Sequence, residues 1–254
     1  MGEIFGMVSA WKIAILFAFI LIGAWRIGVL YGQRRKRRGI SLISEKAEDA
    51  SLALLGLLLA FTFSMALSRH DDRRKMVVDD SNSIGDFYTC ASLQKEPVRS
   101  KLQNVLRDYA RLRLNLALEH VTEVQLDDAL HRIQKMQNEM TALVAEAIEQ
   151  GTPIANPLTN TLNELTSAHA ARLAAIRNRL PATIVALLFS AAILSMALVG
   201  ERHGVTGVRH NGGTLGLILL ICLVTYVTLD LNQPDRGVIR VSQEPMERLL
   251  AGMR

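Results

Sequence analysis

The sequence predicts an all-α membrane protein with four spans and a helical extramembrane domain between the second and third spans. Two observations lead to this class. The 254 residues have a mean hydropathy of +0.21, which soluble domains rarely reach, and their apolar residues collect in four long blocks. No segment shows the alternation of apolar and polar residues that is typical of strands. The same composition excludes a disordered chain, a collagen-like fibre and a disulfide-stapled secreted domain.

The first apolar block, residues 11–31, predicts the first span. Its roughly 21 residues rise about 32 Å as a helix, which is enough to cross a hydrocarbon core of about 30 Å. The other three blocks are about 18 or 19 residues long, at the short end of the spanning range. They cover 50–67, 181–199 and 212–229, and a short basic loop over 32–49 and a C-terminal segment over 230–254 complete the predicted multi-pass arrangement.

Residues 68–180 form the predicted extramembrane domain. Apolar residues recur there every three or four positions, which predicts three amphipathic helices over 102–116, 126–148 and 158–180. His169 lies on the last stripe, and we interpret it as a core or interface histidine because no second ligand-type side chain shares its face. The pair Asp79 and Asp80 is interpreted as a solvated helix face beside a water-filled vestibule, since the alternating oxygen ligands of a calcium loop are absent.

The chain carries a formal net charge of +5, and its basic residues are most concentrated in Arg34–Arg38, directly after the first span. In a membrane protein such an excess flanks the spans, and no nucleic-acid recognition motif accompanies it, so nucleic acid is not an expected partner. The positive-inside rule predicts that the short loops are cytoplasmic. Basic residues at the flanks of 68–180 offset this bias, so the opposite orientation stays open.

Motifs of catalysis are missing from the sequence. It contains no nucleotide-binding, zinc-protease or nucleophile-elbow pattern, and its six histidines are scattered. We therefore expect no enzymatic activity, no cofactor and no metal ion. Cys90 and Cys222 lack metal-ligand spacing, and only Cys222 lies in an apolar block, which argues against a disulfide between them.

Two stretches resemble known membrane proteins. In the first, an apolar second span with a glycine near its start runs directly into a polar helix with spaced arginines and aspartates. It resembles bestrophins in the segments Leu54–Phe61, Ser68–Arg74 and Val78–Ile84. The second stretch is similar to the bacterial bestrophin-like domain family, a four-span family of largely unassigned function. The residues of that second stretch are Leu229–Pro234, followed by Gly237, Val241 and Pro245.

Bestrophins are pentameric anion channels whose second span lines an apolar neck, so the resemblance implies a homo-oligomeric, anion-permeable channel in the bacterial inner membrane. The row Leu55, Leu59 and Phe63 has the spacing of three stacked apolar collars, which can gate by dewetting. Beyond them, Arg69 and Arg73 are predicted to attract anions into a vestibule. The acidic calcium-binding cluster of animal bestrophins has no counterpart near the C-terminus, so calcium gating is not expected.

The alternative function is a non-conducting, membrane-anchored scaffold or sensor that binds a protein partner through the amphipathic stripes of 68–180. In that case Leu55, Leu59 and Phe63 only pack against neighbouring helices or face lipid. If the second span lines a pore, charged substitutions should impair function only on this row. If it packs against helices or faces lipid, the substitutions that impair function should fall on a different face. Substitutions along the second span therefore separate the two functions.

Overall fold

The computed structural model describes residues 9–38, 45–119, 123–207, 211–233 and 237–253. Within these ranges it contains eight α-helices and no strand, which confirms the predicted all-α class. The helices are α1 (Ala10–Arg37), α2 (Glu45–Ser92), α3 (Val98–Leu118), α4 (Glu123–Glu149), α5 (Ala155–Arg177), α6 (Ala182–Thr206), α7 (Asn211–Leu231) and α8 (Glu244–Gly252).

Four helical stretches have the length and apolar composition that crossing a membrane requires: Ala10–Arg37, Lys46–Ser92, Ala155–Thr206 and Gly212–Leu231. Each of the four predicted apolar blocks lies within one of them. Many of their large apolar side chains, such as Phe19, Leu187 and Leu219, are exposed on the chain. Such exposure suits segments that are surrounded by lipid instead of water.

The chain divides into two compact units. The first contains the residues up to His70 together with Arg179–Arg240, and so includes α1, the apolar part of α2, α6 and α7. The second contains Asp71–Asn178 and the residues from Val241 onward, and so includes the polar part of α2, α3, α4, α5 and α8.

In the first unit, α1 and α6 approach so closely that their backbones touch. A Cβ atom added to Gly28 would lie 2.1 Å from the carbonyl oxygen of Ala197, and one added to Gly200 would lie 2.1 Å from that of Trp25. Gly32 and Gly204, one turn further along each helix, are equally close to the opposite backbone. We call these four residues the glycine seam. Small residues four apart are the usual means by which membrane helices pack without intervening side chains.

Polar contacts between α1 and α6 lie on both sides of the glycine seam. Arg35 forms an ion pair with Glu201 of α6. The indole Nε1 of Trp25 donates a hydrogen bond to Nδ1 of His203 at 3.2 Å. Because α1 and α6 are also the helices that supply Phe17 and Leu188 to the same apolar core, they form one closely packed pair.

The second unit has its own apolar core, to which each of its helices contributes. The three predicted amphipathic stripes supply Leu106 and Tyr109 from α3, Met140 from α4, and Leu158 and Leu165 from α5, all fully buried. Ile84 and Phe87 of α2 and Met246 of α8 complete this core. The stripe of α4 is buried only in its middle, since Leu126 and Ile148 are exposed.

Candidate pore helix and buried charge cluster

Helix α2 joins an apolar half to a polar half without a break. Residues 50–67 carry no charge, whereas all seven residues of 69–75, the run RHDDRRK, are charged or histidine. Leucine, alanine and methionine favour the helix in the apolar part. Arginine and lysine continue it beyond that part, because their straight side chains lose little rotamer freedom in a helix. The result is one helix of 48 residues.

One face of the apolar half packs into the first unit. Leu55 is 2% exposed and contacts the core that contains Phe17 and Leu188. Thr62 and Ala66 continue this face and are buried, with the Thr62 hydroxyl donating to the carbonyl oxygen of Leu58 at 2.8 Å. This is the face that anchors α2 to its neighbours.

The predicted neck row lies on and beside that anchoring face. Leu55 is buried within its own chain, whereas Leu59 and Phe63 are half-buried and pack against the edges of the first unit's core. The structure therefore places the three residues against other helices of the same chain to different degrees. For Leu55, the structure agrees with the alternative that the sequence left open, in which this row packs against neighbouring helices.

The opposite face of the apolar half is exposed. Leu57 is 53% exposed and Phe61 is 62% exposed, and Ser64 and Ser68 follow at spacings of three and four. We call Leu57, Phe61, Ser64 and Ser68 the exposed row. The sequence contained a signal for it: the same spacing continues into charged residues, whereas the row of Leu55 continues into Val77 and Ile84, which are core residues.

In the polar half of α2, the positions that continue this spacing are exposed as well. They include Asp71, Lys75, Asn82 and Asp86, with the apolar Val78 between them. Asn82 and Asp86 also line a groove of about 720 Å³ between α2 and α8, to which α8 contributes Glu244. The exposed charges on this face are therefore two carboxylates and one ammonium group.

The two arginines predicted to attract anions bind backbone carbonyls instead of standing free. Arg69 donates to the carbonyl oxygen of Arg179 at 2.5 Å. Arg73 is buried and donates to the carbonyl oxygens of Ala175 and Asn178, at 3.4 and 3.3 Å. The last carbonyls of a helix lack intrahelical partners and form its negative end, so Arg73 serves as a cap on the C-terminus of α5.

Asp80 is completely buried, which corrects the interpretation of the Asp79 and Asp80 pair as a solvated face. Its Oδ2 accepts hydrogen bonds from Arg113 of α3 at 2.6 Å and from Arg172 of α5 at 2.7 Å. Arg172 also donates to the side-chain oxygen of Gln243 at 2.8 Å. Burial without a partner would be far too costly for a carboxylate, and the two guanidinium groups remove that cost.

Aromatic and polar side chains surround the cluster of Asp80, Arg113 and Arg172. The Arg113 guanidinium lies 5.8 Å from the ring centre of Tyr109, which meets the buried His169 edge-on at 6.5 Å. His169 is thus a core residue, as predicted. Burial raises the pKa of Tyr109 to about 12, although the nearby Arg113 acts against this shift, so the phenol stays protonated at neutral pH.

Asp230, in the C-terminal stretch that carries the family resemblance, binds backbone of the first unit, while Pro234 of that stretch lies outside the described residues. Both carboxylate oxygens of Asp230 accept backbone N–H groups, from Val238 at 3.0 Å and Ile239 at 2.9 Å. Gly237 is required by packing, since a Cβ atom there would lie 2.7 Å from the carbonyl oxygen of Asp230. The side-chain oxygen of Asn232 accepts the N–H of Leu180 at 2.7 Å, just before α6.

Neither cysteine forms a disulfide; Cys90 is half-buried and Cys222 is buried. Among the residues that the structure describes, no three His, Cys, Asp or Glu side chains are grouped so that they could hold a metal ion.

Comparison with known proteins identifies the family. The family model described as the Bestrophin-like domain matches residues 14–246. No curated protein sequence matches significantly. The crystal structure of a bacterial bestrophin homologue from Klebsiella pneumoniae with a tryptophan-to-alanine mutation matches with a TM-score of 0.72 and 15% identity, covering 97% of this chain and 98% of that chain. An aspartate-to-alanine variant of that homologue matches with a TM-score of 0.70 and 13% identity, over 94% and 98% of the two chains.

These matches show a shared fold that includes both compact units and nearly the full length of each chain. Together with the four long apolar helices they show a membrane protein. The predicted resemblance is confirmed, and the chain belongs to the Bestrophin-like domain family.

Proposed function

We propose that this chain is the subunit of a homo-oligomeric, multi-pass ion channel of the bacterial inner membrane, with α2 lining the pore. The observation that carries the proposal is the exposed row of Leu57, Phe61, Ser64 and Ser68. It lies on a helix whose other face is fixed to its own chain, and its spacing continues into hydrophilic residues. The pentamer implied by the bestrophin resemblance is part of this proposal.

A residue that lines a pore in a ring of subunits must be exposed on its own subunit. Leu55 does not meet this condition, because it is almost completely buried. Leu57 and Phe61 do, and we assign the apolar neck to them instead of to the row of Leu55, Leu59 and Phe63. Rings of leucine and phenylalanine offer no ligands to replace an ion's hydration shell, so a narrow ring of this kind closes by dewetting.

The ion that permeates depends on the charges beside the neck. The expectation of anions came from the bestrophin resemblance, and the two residues that supported it in this sequence, Arg69 and Arg73, are engaged with backbone carbonyls. The exposed charges on the polar part of the same helix are three carboxylates, Asp71, Asp72 and Asp86, and two cations, Arg74 and Lys75. Carboxylates that line a vestibule raise the local concentration of cations, so the exposed charges favour cations over anions.

Planar-bilayer recording of the purified full-length protein tests both points. Under an asymmetric KCl gradient we expect currents that reverse near the potassium potential, and reversal near the chloride potential would restore the anion assignment. Phe61→Ala widens the neck and should raise the conductance by about twofold or more. Phe63→Ala, on the same helix but half-buried, is the matched control and should leave it unchanged.

Two results would contradict the neck assignment. A change in Phe63→Ala without a change in Phe61→Ala would return the neck to the row of Leu55, Leu59 and Phe63. No current from folded, inserted wild-type protein and from Phe61→Ala alike would favour the scaffold. The scaffold has lost part of its original motivation, however, since the stripes of α3 and α5 pack into their own core through residues such as Leu106 and Leu165.

A further inference from the structure

The end of α1 carries a set of exposed cations just beyond the apolar part of the helix. Ala10–Arg37 would be about 42 Å long at about 1.5 Å per residue, which exceeds a hydrocarbon core of about 30 Å. If residues up to Tyr31 cross that core, the last turn and a half continues to the depth of the headgroups. The basic side chains Arg34, Lys36, Arg37 and Arg38 lie there and are exposed.

Along one face of α1, apolar, aromatic and basic side chains follow one another in the order of the hydrocarbon core, the interface and the headgroups of a bilayer. Ile27 and Tyr31, which are exposed, are followed at spacings of three and four by Arg34 and Arg38. An aliphatic side chain is therefore succeeded by an aromatic one and then by cations. Aromatic side chains prefer the membrane interface, and long basic side chains reach past it to the headgroups.

The opposite face of α1 does not share this role. Gly28, Gly32 and Arg35 follow one another on the side that contacts α6, where Arg35 forms an ion pair with Glu201. Lys36 lies beside the C-terminus of α6, with its Nζ 3.4 Å from where a Cβ atom on Gly207 would be. Arg35, which contacts α6, therefore lies on a different face of α1 from the exposed arginines Arg34 and Arg38.

The acidic groups that the structure describes do not neutralise the exposed cations. Glu201 is held by Arg35, and Glu48 by Arg202 at 3.0 Å. In the described ranges, no carboxylate lies within ion-pair distance of Arg34, Arg37 or Arg38. Three guanidinium groups at headgroup depth match the phosphates of anionic lipids, which they bind through charge-assisted hydrogen bonds.

We propose that Arg34, Arg37 and Arg38 form a binding surface for the headgroups of anionic phospholipids. The surface is independent of ion conduction. It requires only that α1 spans the bilayer, and its ligand is a lipid such as phosphatidylglycerol. Zwitterionic phosphatidylcholine, which presents the same phosphate beside a positive group, should bind much more weakly because its net charge is zero.

Native mass spectrometry of the full-length protein with equimolar phosphatidylglycerol and phosphatidylcholine tests the proposal. The wild type should retain phosphatidylglycerol preferentially, and the triple variant R34Q/R37Q/R38Q should bind it about tenfold more weakly or worse. R34K/R37K/R38K keeps the charge and should retain most of the binding. The control K95Q/R132Q/K135Q removes three exposed cations of the second unit and should bind as the wild type does.

Three results would overturn the proposal. One is equal retention of the two lipids by the wild type. Another is an unchanged preference in R34Q/R37Q/R38Q, and the third is an equal loss in the control variant, which would indicate attraction by net charge alone. If the triple variant does not fold, the single variants R34Q and R38Q replace it, and no loss of phosphatidylglycerol in either would have the same meaning.

Discussion

Asp80 accepts hydrogen bonds from two buried arginines through a single carboxylate oxygen. The sequence places it beside Asp79, and the two look equivalent until their helical neighbours are considered. Asp80 falls on the row of Val77 and Ile84, which are core residues, whereas Asp79 falls beside it. That spacing predicts burial of this position. The partners Arg113 and Arg172 could not be predicted, because they are far away in the chain.

Asp80→Ala should destabilise the protein strongly, since two guanidinium groups would be left buried with no carboxylate. Removal of one partner from a buried ion pair costs about 3–5 kcal/mol. We expect a large fall in the unfolding temperature of the purified protein, measured by differential scanning fluorimetry. Asp79→Ala, at the half-buried neighbouring position, should change it little. Equal effects of the two substitutions would contradict the role assigned to the buried cluster.

At the scale of helices, the glycine seam shows what a sequence pattern can and cannot predict. The spacing of Gly28 and Gly32, and of Gly200 and Gly204, is visible in the sequence and is typical of close helix contacts. The sequence does not show which helices pack together, because the spacing of small residues on one helix does not determine which other helix it contacts. The neck row has a similar ambiguity: several rows of α2 are apolar, and although the continuation of each row beyond the span differs, the packing of the folded chain is what shows that Leu55 faces inward.

Gly200→Ala should loosen the pairing of α1 and α6. The new Cβ atom would meet the backbone oxygen of Trp25 at 2.1 Å, and backbone cannot move aside as a flexible side chain can. We expect a loss of about 1–3 kcal/mol, seen as a lower unfolding temperature. Gly23→Ala is the matched control, because nothing lies within 4 Å of its Cβ position, and alanine favours helix. A neutral Gly200→Ala would show that the two helices are less closely packed than described.

For the whole molecule, the fold class can be predicted from patterns that repeat over many residues of the sequence. The orientation in the membrane cannot be predicted in this way. Four apolar blocks and a helical periodicity are enough for an all-α membrane protein, since both signals repeat over many residues. Orientation depends on a small difference in basic residues between the two sides. The cluster Arg34–Arg38 gives the positive-inside rule its largest single contribution, and three of its arginines remain exposed in the folded chain.

Cysteine labelling of cells measures this orientation. In a background with Cys90→Ser and Cys222→Ser, a membrane-impermeant maleimide should label Leu93→Cys in intact cells and Arg37→Cys only after lysis. Leu93 is highly exposed and Arg37 is exposed, so both positions are reachable once the reagent is on their side. The reverse pattern would show the opposite orientation, in which the residue 93 side of the membrane is cytoplasmic.

The glycine seam also limits how the first unit can move. Because the backbones of α1 and α6 touch at four positions, no layer of side chains lies between them in which one helix could slide past the other. The two helices therefore move together as one rigid body. Displacement within this unit must occur where side chains form the contact, and the contact of α2 through Leu55 is of this kind.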